Sequence, residues 1–290
     1  MHGDPDTLKL CQSISNQYGE LPSERVWSEW YKWATQSRLP SKGLQFLKDS
    51  GWLEPFQELV ALINTPQDPE WHPEGNVWNH TKHCCDALVN QPEWKSDASP
   101  EDRAVWMFAV LLHDVGKPET TETVVRNGKE RTVSPGHDKV GAKRADRFFE
   151  RLKAPHGIRD RVRPLISEHM IHVQTITNRA VRRLSKRLEP ESIPSLCVVM
   201  TSDAMGRPPL KPGIPKFVDQ LRDKAAELEV LTQAPSPFLR GSDLIEMGLS
   251  PGKKIGTLLH QAYDLQIEGE LTNPTQAFQW ARQQIILLKQ

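Results

Sequence analysis

The stretch Leu111-Leu112-His113-Asp114-Val115-Gly116-Lys117 constrains this chain more than any other. An apolar run from Val105 to Leu112 leads into it with helical spacing and ends on an adjacent His-Asp pair. Neighbouring side chains on a helix diverge by about 100°, yet two of them can converge on one ion lying off the helix flank. A neutral imidazole nitrogen and a carboxylate oxygen together suit a first-row divalent metal. Gly116 then releases the backbone, and Lys117 places a cation close to whatever such a metal binds.

A His-Asp dipeptide alone says little. It gains meaning from His80 upstream and from His137, His169 and Asp203 downstream, each in a helical context. The series His80, His113-Asp114, His137, His169, Asp203 resembles the HD superfamily of metal-dependent phosphohydrolases. The resemblance implies one or two divalent ions per site, drawn from Mn, Ni, Co and Mg. His80, His113, Asp114 and Asp203 would hold the first. His137 and His169 would either complete a second, with Asp114 bridging, or contact the scissile phosphate. Lys117 and Arg207 would bind phosphate oxygens, so that Asp114, Lys117, His137 and Arg207 form the catalytic set. His83, His156 and His172 are expected to be structural or on the surface.

Composition excludes several classes. The formal net charge is zero, so nothing global points to nucleic acid, although a local patch remains open. No apolar run approaches the roughly 20 residues that span a bilayer, and the N-terminus lacks the basic-then-apolar pattern of a secretory signal. Cys11, Cys84, Cys85 and Cys197 contain no Cys-x-x-Cys spacing, which supports neither a disulfide framework nor a zinc ribbon. His80, His83 and Cys84 share a helix face, but finger-like partner ligands are missing. A reduced, cytoplasmic protein without a membrane partner is expected.

Periodicity predicts an all-α fold with one small hairpin. Helices are expected from Pro22 through Trp33, around Leu44 to Leu47, and over Glu54 to Ile63, their aromatic residues serving packing. Pro66, Pro69 and Pro73 then rule out a regular helix. Asn76 opens a helix carrying His80, and another runs from about Glu101 to Asp114. Thr123 to Val133, with Asn127-Gly128 at its centre, predicts a two-residue hairpin turn beside the site. Helices follow from His137, over Gly157 to His172, over Asn178 to Leu188, over Ile193 to Ala204 and over Lys216 to Gln233. The expected divisions are a helical N-terminal segment (1–65), an HD helical core (66–233) and a helical C-terminal tail (234–290). Between Lys139 and Arg187 fourteen Lys or Arg stand against four acidic residues. Such a stretch reads either as solvated helix faces or as a polyphosphate or RNA-backbone surface, with Arg182 and Arg183 as its substrate-binding candidates.

Several blocks resemble the C-terminal part of bacterial tRNA nucleotidyltransferases, the CCA-adding enzymes that carry an HD domain. They are Glu24-Arg25-Val26-Trp27 with Glu29-Trp30, the stretch Leu44 to Leu53, Pro66 through Gly75 with His80, Gly241 to Leu249, Pro251-Gly252, Ile255-Gly256 and Gly269-Glu270. That family's nucleotidyl transfer needs a Gly-Ser turn on a strand followed by an Asp-x-Asp pair. Asp4-Pro5-Asp6 has the letters without the strand or the turn, so this chain is not expected to add CCA by itself. By analogy with that family's HD domains, the expected reactions are opening of 2′,3′-cyclic phosphates and removal of phosphate from nucleotides, on a nucleotide or RNA 3′ end, with tRNA as the RNA the resemblance puts forward. A hydrolase of free nucleotides (a nucleotidase or triphosphohydrolase) and a non-catalytic tRNA-binding accessory subunit remain alternatives. The sequence is compatible with a homodimer but does not set the oligomeric state.

Overall fold

The computed structural model describes residues 4–96, 98–171, 176–210 and 213–288. In chain order the elements are α1 (Pro5–Ser13), α2 (Ser23–Gln36), α3 (Pro40–Asp49), α4 (Gln57–Val60), α5 (Val77–Leu88), α6 (Pro92–Lys95), α7 (Pro100–Leu112) and α8 (Lys117–Thr120). Strands β1 (Glu122–Arg126) and β2 (Lys129–Val133) follow, then α9 (His137–Leu152), α10 (His156–Glu168), α11 (Asn178–Leu188) and α12 (Ile193–Met205). The remainder comprises α13 (Lys216–Glu227), α14 (Gly241–Glu246), α15 (Lys253–Glu268) and α16 (Pro274–Leu287). The all-α expectation with one hairpin holds.

Helix α7 is the axis of the first of two compact units, residues 1–172 with 194–219. Ser99 caps it by accepting from the amide of Asp102 at 3.1 Å, with Pro100 opening the helix and Glu101 and Asp102 in its first turn. These are the residues that suit the unpaired amides and positive end of a helix N-terminus. From Met107 to Leu112 every side chain is buried, as befits a helix apolar on all sides. It packs against α2, α5 and α10. Around it the rings of Trp30, Phe56, Phe108, Phe148 and Phe149 meet mostly edge to face, with Trp30 and Phe56 centroids 5.0 Å apart. Burying each such side chain contributes roughly 1.5–3 kcal/mol.

The hairpin has the expected form. Arg126 pairs with Lys129 across the turn, and Asn127 and Gly128 both have positive φ (52° and 73°), the mirror-image turn that matches strand twist. Several expected helices are shorter than their patterns; the one expected over Gly157 to His172 closes at Glu168. The one expected over Glu54 to Ile63 is the single turn α4 followed by a 3-10 turn, Ala61–Asn64, because Pro66 keeps Thr65 out of the α region. The one expected to reach Gln233 stops at Glu227. There Glu229 turns left-handed (φ 56°) and the amide of Val230 closes back onto the Ala225 carbonyl at 2.9 Å, a Schellman-type ending.

The second unit comprises residues 173–193 and 220–290. Its core is Leu244, Leu249, Leu258, Ala262, Ala281 and Ile285 with their neighbours. Helix α11 packs on α15 within it, so the contacts divide the chain elsewhere than at residues 65 and 233. The N-terminal helices share a core with the central ones, while α11, assigned by sequence to the middle segment, belongs with the tail.

The basic stretch is largely a set of ion pairs with acids distant in sequence. Arg151 forks onto Glu58 (2.7 and 2.9 Å), Arg144 onto Glu119, Arg161 onto Glu101 and Asp102, and Arg159 onto Asp146. In the second unit Arg179 and Arg183 both meet Glu268, and Lys186 meets Asp264 at 2.9 Å. Apart from Asp146, a count along the sequence missed these partners because they lie outside the basic stretch. Glu58 is the most deeply placed, its side chain only 6% exposed. Arg151→Ala would leave that carboxylate buried without its partner and is expected to cost about 2–4 kcal/mol, read as a lowered urea midpoint at unchanged slope.

Candidate metal centre

The site grows from the end of α7. The helix closes at Leu112, two residues before the expected end, and His113 and Asp114 sit in the turn that follows. The last carbonyls of a helix lack intrahelical partners, and His113 supplies one: its Nδ1 lies 2.7 Å from the Val110 carbonyl. His169, one residue beyond α10, repeats the arrangement on Ile166 at 2.7 Å, and His137, opening α9, does so on Ser134 at 2.7 Å. His80, inside α5, directs Nδ1 at the Glu74 carboxylate, 2.7 Å away, and at the Gly206 carbonyl, 3.2 Å away. A carbonyl or carboxylate can only accept, so in all four imidazoles Nδ1 carries a proton and Nε2 is the nitrogen turned toward the centre.

All four Nε2 atoms face Asp114. Its Oδ2 lies 3.2 Å from His113 Nε2, 3.8 Å from His80 Nε2 and 2.7 Å from Lys117 Nζ. Its Oδ1 lies 3.2 Å from His137 Nε2 and 4.0 Å from His169 Nε2. Asp203 comes from α12, its Oδ1 3.0 Å from His80 Nε2, and Arg207 from just beyond, 2.9 Å from the same oxygen. His80, His113, Asp114, His137, His169 and Lys117 are buried. The structure therefore brings together all eight residues that the sequence put at the centre, while Arg182 and Arg183 belong to the second unit. Arg183 is engaged by Glu268, and Arg182 lines a cavity of about 520 Å³ there. His83 and His156 are exposed, as expected; His172 lies outside the described residues.

The cluster is chemically incomplete without a cation. His113 Nε2 is buried with no hydrogen bond, a state that costs about 1–3 kcal/mol for a polar group. His137 Nε2 and His169 Nε2 stand 3.3 Å apart, and both face Asp114 Oδ1. Among the described residues three groups of donors stand close enough to share an ion: Asp114 with His137 and His169, His80 with His113, Asp203 and Cys84, and His72 with Glu74 and His80. Imidazoles with carboxylates are the donor set of first-row divalent metals, and these residues fit such an ion. Asp114 turns one oxygen toward His137 and His169 and the other toward His80 and His113.

The charges follow from this geometry. Burial favours the neutral form of Asp114, but the neighbouring His113 and Lys117 outweigh it and hold the carboxyl well below its ordinary range. Burial, reinforced by His113 and His137, pushes the His169 imidazole down to about 3, keeping it a neutral donor. Burial also opposes protonation of His137, yet the hydrogen bond and charge of Asp114 raise it above the ordinary value.

Three contributors escaped the sequence. Glu74, within the proline-rich break, joins His72 (2.9 Å) and His80 through one oxygen. Gln67 accepts from Lys117 at 2.8 Å. Cys84 places its sulfur 3.3 Å from His80 Nε2. The spacing of His80 and Cys84 was visible, but their partners come from α7 and α12 and not from a finger-like neighbour. Tight backbone approaches hold these segments in place: a Cβ at Gly116 would stand 2.1 Å from the His137 carbonyl oxygen, and one at Gly206 would stand 2.3 Å from the Cys84 sulfur.

Comparison with known proteins agrees with this centre. The family model described as HD domain matches residues 76–205, which contain seven of the eight central residues, Arg207 lying just beyond, and the chain carries an HD domain there. It is homologous to bacterial multifunctional CCA proteins. It is 38% identical over 159 residues to that of Halorhodospira halophila, covering 53% of this chain and 34% of the relative. It is 30% identical over 213 residues to that of Pasteurella multocida, covering 70% and 48%. An A-adding tRNA nucleotidyltransferase of Deinococcus radiodurans is 31% identical over 182 residues, covering 61% and 41%. The chain thus spans between a third and a half of the length of these relatives.

Glu74 orients His80 without being one of the central ligands. Outer partners of this kind typically change metal affinity ten- to a hundredfold. Glu74→Ala is expected to weaken binding by about that factor, measured by competition against a chromophoric chelator, with the helical circular dichroism unchanged.

Proposed function

We propose that this protein is a metal-dependent phosphohydrolase acting on phosphoesters of nucleotides or RNA ends, with opening of 2′,3′-cyclic phosphates and removal of terminal phosphate as its reactions. The observation that carries this reading is the pairing of a buried imidazole–carboxylate cluster with two cations at one cleft. That cleft, about 310 Å³, is lined by Asp114, His137, Asp203, Lys117 and Arg207. Anionic ligands would meet donors for an ion on its floor and positive charge at its wall.

His80, His113, Asp114 and Asp203, with Cys84 within reach, would hold one divalent ion. Asp114, His137 and His169 would hold a second. Bound there, a divalent ion supplies Lewis acidity, activating water near neutral pH and neutralising charge on a phosphoryl oxygen. Lys117 and Arg207 orient the phosphate through its non-bridging oxygens. Each is already held by a ligand carboxylate, Lys117 by Asp114 and Arg207 by Asp203, so little ordering remains to be done when substrate arrives. In the hydrolysis, the water oxygen bonds to phosphorus, one ester P–O bond breaks, and the departing oxygen takes a proton. His137 Nε2, whose affinity for a proton Asp114 raises, is the group placed to hold and deliver that proton when it is not ligating.

The name of one relative, an A-adding tRNA nucleotidyltransferase, supports RNA ends as the substrate class and tRNA as the partner. Among the described residues no helix is long and apolar enough to cross a membrane, and Cys11, Cys84, Cys85 and Cys197 form no disulfide.

The test is hydrolysis of 2′,3′-cyclic AMP, 2′- and 3′-AMP, free nucleoside triphosphates and an RNA ending in a cyclic phosphate, with Mn, Ni, Co or Mg. Cyclic or 2′-phosphate ends are expected to be preferred. Preference for free nucleotides would favour the nucleotidase alternative, and bound metal without turnover the accessory one. Asp114→Ala is expected to abolish turnover and bound metal together while the helical circular dichroism persists; retained turnover would overturn the assignment.

A further inference from the structure

We infer that the β-hairpin and the segment before α5 form a subsite for the end of a nucleic-acid strand, with Trp71 as the platform for its terminal base. The inference rests on the proposed phosphoester chemistry and deepens it by assigning what lies on either side of the reacting phosphate.

Trp71 is 58% exposed, an unusual position for the largest side chain in a segment that is otherwise held down. Its backbone is pinned: the amides of Trp71 and His72 reach the Asp68 carbonyl at 3.2 and 2.8 Å, and Asp68 Oδ1 accepts from the amide of Glu70 at 3.1 Å. The Arg131 guanidinium lies 5.9 Å over the ring and is itself fixed by Asp68 (2.8 Å) and Glu70. The indole is thus a rigid plate with a cation against it and much of its surface open to solvent. A stacked base meets such a plate without any ordering of the protein, and every base has a face with which to do so.

The plate lies at a junction. Trp71 and Val133 line both the metal cleft and a neighbouring groove of about 470 Å³. The base of the hairpin, Thr132 and Val133, borders both cavities, while its tip, with Arg126 and Lys129, borders only the groove. Arg126 and Lys129 are directly opposed in the antiparallel pairing, and Arg131 opposes Val124 two residues along. Side chains two apart on a strand share a face, so Arg126, Lys129 and Arg131 all project from one face of the ribbon. Arg131 is neutralised by Asp68 and Glu70. Arg126 and Lys129 have no ion-pair partner among the described residues.

A free mononucleotide needs only the phosphate cleft and the plate. Two further unpaired cations at the far end of a groove, roughly 13 Å along β2 at about 3.3 Å per residue, match the phosphates of a continuing strand. The order along the ribbon is therefore reacting phosphate at Asp114 and Lys117, terminal base on Trp71, and preceding backbone along Arg126 and Lys129. Under the proposed function this strand is RNA.

Two measurements test it. The first compares kcat/KM for adenosine 2′,3′-cyclic phosphate with that for ribose 2′,3′-cyclic phosphate, which lacks the base. Trp71→Ala is expected to lower the ratio of the two about ten- to a hundredfold, mainly through KM, and Trp71→Phe to restore most of it. The second measures binding of a fluorescein-labelled single-stranded pentaribonucleotide by anisotropy across a salt series. Reversing both tip charges, Arg126→Glu with Lys129→Glu, is expected to weaken binding at least tenfold and to reduce the slope of log K against log salt by about one to two. Equal loss on both esters with Trp71→Ala, or an unaltered affinity and slope after charge reversal, would overturn the subsite. Failure of the wild type to hydrolyse any ester would instead overturn the proposed function, and the binding arm, repeated with Trp71→Ala, would still decide whether the plate holds a strand.

Discussion

Everything at the centre depends on four short hydrogen bonds that use up the wrong side of an imidazole. His113, His137 and His169 each give Nδ1–H to the carbonyl three residues earlier, and His80 directs its own to Glu74. A histidine free to choose its tautomer would offer a metal either nitrogen or a proton. Here the choice is made by the backbone, before any ion arrives. For His113 and His169 the accepting carbonyl belongs to the end of a helix, where it would otherwise be unpaired. One interaction therefore completes a helix terminus and aims a ligand.

That arrangement sets the character of the remainder. Imidazole nitrogens facing one another 3.3 Å apart, and a buried nitrogen without a partner, are tolerable only in a rigid frame that cannot relax away from them. The frame is the apolar α7, packed by α2, α5 and α10 and flanked by a set of interlocking aromatic rings. It also explains the close backbone approaches at Gly116 and Gly206. Any side chain there would widen the separation between the segments that carry the donors.

Charge is deployed in two distinct ways. Most of the basic side chains between Lys139 and Arg187 are committed to acidic partners and hold elements together within one unit or the other. The cations at the metal cleft and hairpin were not conspicuous by number. Lys117 and Arg207 each lean on a ligand carboxylate, while Arg126 and Lys129 stand unpaired at a ribbon tip. Local counts of charge therefore overstate what is available, since a charge is available only when no carboxylate from another element has reached it.

Much of this was legible in the order of residues. Periodicity determined the helices, Asn127-Gly128 determined the hairpin turn, and the spaced histidines and aspartates marked the centre, because these are local properties: a helix repeats every 3.6 residues, and a two-residue turn demands positive φ from its own residues. What only the tertiary structure decided is who stands beside whom. It brought Glu74 to His80, Cys84 into the donor group, Gln67 to Lys117, and Trp71 to the hairpin. It also moved α11 into the company of the tail. None of these contacts has a sequence spacing of its own. Each exists because buried polar atoms must find partners, and in a packed chain the nearest partner in space is set by how whole helices lie together, not by distance along the backbone.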